Sequence, residues 1–356
     1  MNQEWSKLNK QIQSLLRSEQ TFPEGIGVLL QLREDLFHQI ETIVHTCPAE
    51  AFDQMLFPSA KGYHSKTLSY SMWHIFRIED ITAHTLMKAD TQVLFSDNWL
   101  KRINSPIITT GNELQKEEIT EFSKQLNVHA LLEYCRNVMK VTDEILKNLE
   151  YRDLKHTFGE KDRTRLIDSQ CVSTDESAFW LIDYWCGKDI RGLIQMPFSR
   201  HWIMHVEAMC RIRDKLCQKA RKGTDPIAYC GLSCSHCFLK DQCGSCRTSY
   251  NTCSFANSSP DGICPNAECC REKGLDGCYE CEELDSCTKG FYETGTDGNA
   301  VKAMAMFIRK YGKWELPPVL KTLHEKYEFK KIQEVIGYDT KEGLRILEAN
   351  RRDSDQ

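Results

Sequence analysis

The sequence predicts a mainly α protein: an up-down four-helix bundle, then a small loop-rich cysteine domain that binds metal, then a short helical tail. Three observations predict it. Apolar residues recur at three- and four-residue steps through four long segments before residue 222, and nothing there alternates convincingly as a strand would. Twelve of the chain's 18 cysteines lie between Cys230 and Cys287. Helical periodicity returns after Gly298. The implied division is 1–222, 226–295 and 296–350, with Gly223-Thr-Asp-Pro226 as the boundary and the last piece packed with the cysteine-rich one.

The first segment, to about residue 20, is weakly helical. From Glu24 to Val44 the stripe is clear, with Leu29, Leu32, Leu36, Ile40 and Ile43 in step, and Cys47-Pro48 ends it. A polar loop with Pro58 and Gly62 follows. A second helix, Thr67 to Met87, sets Leu68, Met72, Ile75, Ile78 and Ile81 on one side. Ala89 to Gly111 has no period. A short helix over Glu113 to Leu126 leads to a long one over Val128 to Leu149, where Leu131, Leu132, Cys135, Val138 and Leu146 form a wide stripe. Gly159 to Ser177 is read as a loop ending in the capping box Ser173-Thr-Asp-Glu176, before a helix over Ala178 to Cys186. The last long helix is expected to start at Ser199, an N-cap just after Pro197. In the tail, Val301, Met304, Phe307 and Ile308 form one stripe, Pro317-Pro318 break it, and Leu320, Leu323 and Tyr327 form the next. Leu344, Ile346 and Leu347 form a third, and fraying is expected from Arg351.

Composition narrows the function classes. With 41% hydrophobic and 27% charged residues, a soluble globular chain is expected. A net charge of −5 gives no electrostatic case for nucleic acid or an anionic membrane as partner. No run approaches a membrane-spanning length, and Met1-Asn-Gln-Glu-Trp-Ser-Lys lacks the pattern of a secretory signal. A cytoplasmic location is therefore expected. Thiols stay reduced there, which favours metal ligation over a secreted disulfide scaffold. No Walker loop, G-x-G-x-x-G or G-x-S-x-G is present.

Three of the eleven histidines stand out. Ser199-Arg-His201-Trp-Ile-Met-His205 places two imidazoles at i and i+4 on one helix face, the spacing that lets two nitrogens reach one ion. His74 sits in the second helix among apolar neighbours and could be a third ligand. An i,i+4 pair also arises by chance, and a lone His in an apolar helix is usually a hydrogen-bonded core residue. The spacing alone leaves both readings open.

The local sequences, Trp-His74-Ile-x-Arg-Ile-Glu-Asp80 and Arg-His201-Trp-x-x-His205, are similar to those of the DinB/YfiT-like bundle family over residues 1–222. The resemblance implies a divalent metal, zinc or similar, on His74, His201 and His205. It also implies a metal-dependent hydrolase or thiol S-transferase acting on a small-molecule, thiol-type substrate, with a homodimer as an open option. Glu79, Asp80 and Glu207 lie near the ligands in sequence and are read as solvated helix charges or helix-pair salt bridges. No catalytic residue is assigned.

In the cysteine segment, Cys234-Ser-His-Cys237 with Cys243 and Cys278-Tyr-Glu-Cys281 with Cys287 are two copies of C-x2-C-x5-C. Such spacing puts paired sulfurs on a tight turn, where they grip one metal ion or cluster. Candidate ligands are Cys230, Cys234, Cys237, Cys243, Cys246 and Cys253, together with Cys264, Cys269, Cys278, Cys281 and Cys287. Cys270, adjacent to Cys269, is read as free or on another site, and His236 as a loop residue. The thiols could close three four-cysteine zinc sites, or two with thiols to spare. Zinc is the first choice because such sites replace a core in polar, loop-rich segments. An iron–sulfur cluster is the alternative. Cys230-Gly-Leu-Ser-Cys234, the later cysteine pairs and the tail resemble the family of unknown function numbered 3795 among the DUF families, over residues 226–350. That resemblance carries no activity. Cys47, Cys135, Cys171, Cys186, Cys210 and Cys217 read as small core or surface residues. The competing reading of the whole chain is a non-catalytic metal or redox sensing protein.

Overall fold

The computed structural model describes residues 2–240, 242–250, 253–257, 259, 262–327 and 332–351. They are mainly helical, with no β-strand among them and two isolated bridges, Thr157 with Asp189 and Ile227 with Ser233. Among the described residues no helix is long and apolar enough to cross a membrane. The chain divides into two compact units: residues 1–44 with 48–213, and 45–47 with 214–356. The division falls within the helix His201–Arg221, ahead of the Gly223 boundary expected from composition.

Four long helices dominate the first unit: Phe22–Thr46, Leu68–Asp80, Val128–Lys147 and His201–Arg221. The stripe Leu29, Leu32, Leu36, Ile40 and Ile43 is wholly buried, as its spacing requires. Local caps set the starts. Thr67 accepts from the Tyr70 N–H at 3.1 Å and Asn127 from the Ala130 N–H at 3.1 Å.

The helix Leu68–Asp80 departs from the expected one-sided pattern, since every residue in it is buried. Its polar side chains must then find partners inside. Arg77, Trp73, His74 and Tyr70 bond in turn to the carbonyls of Ile108, Thr109, Thr110 and Gly111, at 2.8, 3.0, 2.8 and 2.9 Å. The stretch that shows no period in sequence therefore runs along this helix, its carbonyls satisfied by side chains. Glu79 and Asp80 are not solvated charges. Glu79 takes two bonds from Arg33, at 2.9 and 2.8 Å, and one from Trp202 Nε1 at 2.8 Å. Arg33 also reaches Asp143 at 2.6 Å and stacks on Trp202. Asp80 accepts from Arg77, Tyr134 and the N–H groups of Val93 and Leu94. Glu207 pairs with Arg211 one turn on, at 2.9 Å.

Three further expectations change. The loop read over Gly159 to Ser177 contains a helix, Glu160–Asp168. The cap of Glu176–Cys186 is Asp175, which accepts from the Ser177 N–H at 2.8 Å, while Ser173 bonds only to the Asp175 N–H. Ser199 is not an N-cap. The helix begins at Ile190, capped by Asp189, and passes through a π-helical turn, Met196–Arg200, into His201. Ser199 lies inside that turn and donates to the Ile194 carbonyl.

The second unit has an apolar core that the polar cysteine segment alone could not supply. Thr296–Tyr311, Leu316–Lys326 and Thr340–Ala349 bury Val301, Met304, Phe307, Leu320, Leu323 and Leu347. Ile227, Cys270, Cys278, Tyr279 and Leu284 join the same core. The tail is thus the floor of the cysteine segment. Pro317 and Pro318 open their helix rather than breaking one, because proline is tolerated in a first turn. The expected fraying past Arg351 lies outside the described residues. Gly231 shows how closely floor and segment meet: its φ is +92°, and a Cβ there would sit 2.8 Å from Ala305 Cβ.

Two outcomes follow. Arg33→Met leaves Glu79 buried without its cation, so unfolding should become easier by about 3–5 kcal/mol. The paired change Arg33→Met with Glu79→Leu should cost less than Arg33→Met alone, read from denaturant midpoints. Gly231→Ala should lower the melting temperature of the second unit, through both the left-handed backbone and the clash with Ala305. An unchanged melting temperature would mean that the turn does not press on that helix.

Candidate metal centre

The first unit brings together the three histidines that the sequence singled out. His74 comes from the buried helix, and His201 and His205 from consecutive turns of His201–Arg221. Ring centroids lie 5.1 Å apart for His74 and His201, 4.9 Å for His74 and His205, and 4.6 Å for the pair. One ring nitrogen from each falls within 4.8 Å of the other two. Among the described residues this is the one set of three or more His, Cys, Asp or Glu that does so.

The hydrogen bonds define what the rings offer. His74 Nδ1 lies 2.8 Å from the Thr110 carbonyl, which can only accept. Nδ1 is therefore the N–H, and Nε2 is left with a free lone pair. His201 Nδ1 and both nitrogens of His205 are buried with no hydrogen-bond partner among the described residues. Burial holds all three rings neutral: His74 is lowered to about 4, and His201 and His205 fall well below the usual histidine range. Neutral imidazoles are the form that binds metal. The donor set and its orphaned nitrogens thus fit a divalent ion, and three protein ligands leave a position open.

Sequence reasoning missed the surroundings. Tyr63 sets its ring edge-on to His205 at 4.7 Å, and Tyr70 stacks on His74 at 5.5 Å. The Lys66 ammonium lies 4.6 Å from the centre of the Tyr70 ring, and burial lowers its pKa. Tyr63 and Lys66 sit in a polar loop with no pattern to mark them. Glu79, Asp80 and Glu207 do not join the trio, because each is committed to an arginine.

The twelve cysteines from Cys230 to Cys287 separate into two groups. The first repeat copy, Cys234, Cys237 and Cys243, faces one cavity with Cys230, Cys246, Cys253 and Cys264. The second copy, Cys278, Cys281 and Cys287, lines another with Cys269 and Cys270. Both copies fold alike, with a 3-10 turn at the first cysteine and an N–H from the second cysteine back to the first carbonyl. Cys270, set aside in the sequence, is the residue whose sulfur lies 3.6 Å from Cys278. That contact draws the Cys278 thiol down to about 6 and pushes Cys270 up. In the first group burial pushes Cys234 and Cys237 up to about 11 and Cys246 to about 12. His236 is half-buried, bonds to Ser233 at 3.1 Å and lies outside the first cavity. No protein-family model, curated protein or solved structure matches the chain.

The orphaned nitrogens lead to a stability prediction. Each buried polar atom without a partner costs about 1–3 kcal/mol. In chelator, His205→Leu should therefore raise the melting temperature of the metal-free first unit while removing a ligand. A lower melting temperature would mean that His205 already earns its place without metal.

Proposed function

We propose that the first unit is an up-down four-helix bundle whose His74, His201 and His205 hold a divalent metal, zinc or similar, for a hydrolase or thiol S-transferase reaction on a small molecule. The observation that carries this is the buried trio itself: three neutral rings with converging nitrogens, of which His201 Nδ1 and both His205 nitrogens lack any partner. A fold selected for stability alone would replace them with leucine or phenylalanine. The resemblance of both histidine segments to the DinB/YfiT-like family supports the same reading.

A bound divalent ion would supply Lewis acidity toward a thiol or water. The chain's own residues do the rest. The Thr110 carbonyl fixes the His74 ring and its tautomer. The half-buried Lys66 ammonium adds positive charge beside His74 and His205, which favours an anionic substrate group such as a thiolate. Tyr63 packs perpendicular to His205. The second unit is the metal-stabilised partner in this reading, and cytoplasmic placement accords with its reduced thiols.

Metal analysis tests the proposal. The triple change His74→Ala, His201→Ala, His205→Ala should lower bound divalent metal by one equivalent per chain and leave the helical circular dichroism intact. Cobalt(II) added to the native chain should give visible absorption that the triple variant lacks. Thiol-transfer and ester-hydrolysis screens should then show metal-dependent turnover by the native chain only. Unchanged metal content in the triple variant would remove the three-His centre.

A further inference from the structure

The first cysteine cavity has three properties that a four-thiolate zinc site does not require together. Its volume is about 60 Å³. One water needs only about 10–15 Å³ of such space, so the cavity suits a body of several atoms. Its thiols stand apart. A single zinc ion bonds each sulfur at about 2.3 Å, which sets tetrahedral sulfurs about 3.8 Å from one another. Among the described residues no three cysteine sulfurs lie within even 4.8 Å of each other. No three of the sulfurs on this cavity stand as one ion would hold them.

The third property is how the backbone treats these sulfurs. The Leu239 N–H points to Cys237 Sγ at 3.4 Å, the Ser245 N–H to Cys243 Sγ at 3.4 Å, and the Tyr229 N–H to Cys246 Sγ at 3.5 Å. A neutral thiol is a weak acceptor, whereas a thiolate draws such bonds strongly. Three of the seven sulfurs on this cavity are thus fitted with main-chain donors, an arrangement suited to metal-bound thiolates. Among the described residues, the cations that line the space are Arg221 and Lys240. Metal-bound thiolates in that number would need more positive charge than those two side chains supply.

We propose that the cavity bounded by Cys230, Cys246, Cys253, Cys264 and the Cys234–Cys243 repeat holds a sulfide-bridged iron cluster rather than a lone zinc ion. A cluster has the required size, holds its thiolates farther apart than one ion does, and is tuned by N–H bonds to its sulfurs. Tyr229, Leu232 and Phe291 give the lining an apolar part. The assignment is independent of the three-His centre, which lies in the other unit.

The test uses the full chain purified without oxygen. Iron, acid-labile sulfide and zinc are counted per chain, and the visible spectrum is recorded before and after reconstitution with ferrous iron and sulfide. Iron and labile sulfide in equal amounts, with broad visible absorption, are expected. Cys230→Ser with Cys246→Ser should abolish both, while Cys186→Ser, in the first unit, should leave them unchanged. The native chain's own content needs no variant to fold. Zinc without labile sulfide in the native chain, and no sulfide uptake on reconstitution, overturns the proposal. So does iron and sulfide retained in full by the double variant.

Discussion

The first unit depends on one constraint: the helix Leu68–Asp80 is buried on all sides yet carries Tyr70, Trp73, His74 and Arg77. Each brings a donor into the interior, and each meets one carbonyl of Ile108 to Gly111. The match works in both directions. The segment is neither helix nor sheet there, and of those four carbonyls only Gly111's also takes a backbone bond, from the Leu114 N–H at 3.0 Å, among the described residues. At these four places the helix is polar where water cannot reach. Neither piece could be buried without the other, and the bond to Thr110 sets which nitrogen His74 presents. Fold and site are therefore settled by the same hydrogen bonds.

This also explains what could be read from the sequence. The stripes of Phe22–Thr46 and Val128–Lys147 were legible because those helices bury one face, and one-sided burial is what periodicity records. The histidine trio was legible because i,i+4 spacing survives in any helix. The partners of His74 and Glu79 were not. Every residue has a carbonyl, so nothing marks Thr110 as an acceptor. Arg33 sits in the apolar stripe of its helix like an exception, until Glu79 and Trp202 are seen around it. Caps were misplaced at Ser173 and Ser199 because several good capping residues stand close together and only geometry chooses among them.

In the second unit the repeat was visible and its consequence was not. Spacing revealed two C-x2-C-x5-C copies, and the structure sends them to different cavities. The division follows from the helix Pro265–Glu272 between them, which carries the adjacent Cys269 and Cys270. Polar composition suggested that metal must stand in for a core. In fact Thr296–Tyr311 and its neighbours supply one, and Cys270, Cys278 and Tyr279 are built into it. Metal loss would then loosen the cysteine loops around a floor that has its own apolar cohesion.

The π-helical turn at Met196–Arg200 bears on the histidine pair in another way. Such a turn holds one residue more than the α-helix around it, and each α-helical residue turns the chain by about 100°. The extra residue acts as a phase shifter: it sets the azimuth at which His201 and His205 leave the axis without altering the helix below. A lineage that deleted one residue between 196 and 200 would keep a continuous helix and the H-x3-H spacing, yet aim both rings away from His74. Motif spacing and ligand convergence are thus separable properties in this fold, and a sequence can retain the first while losing the second.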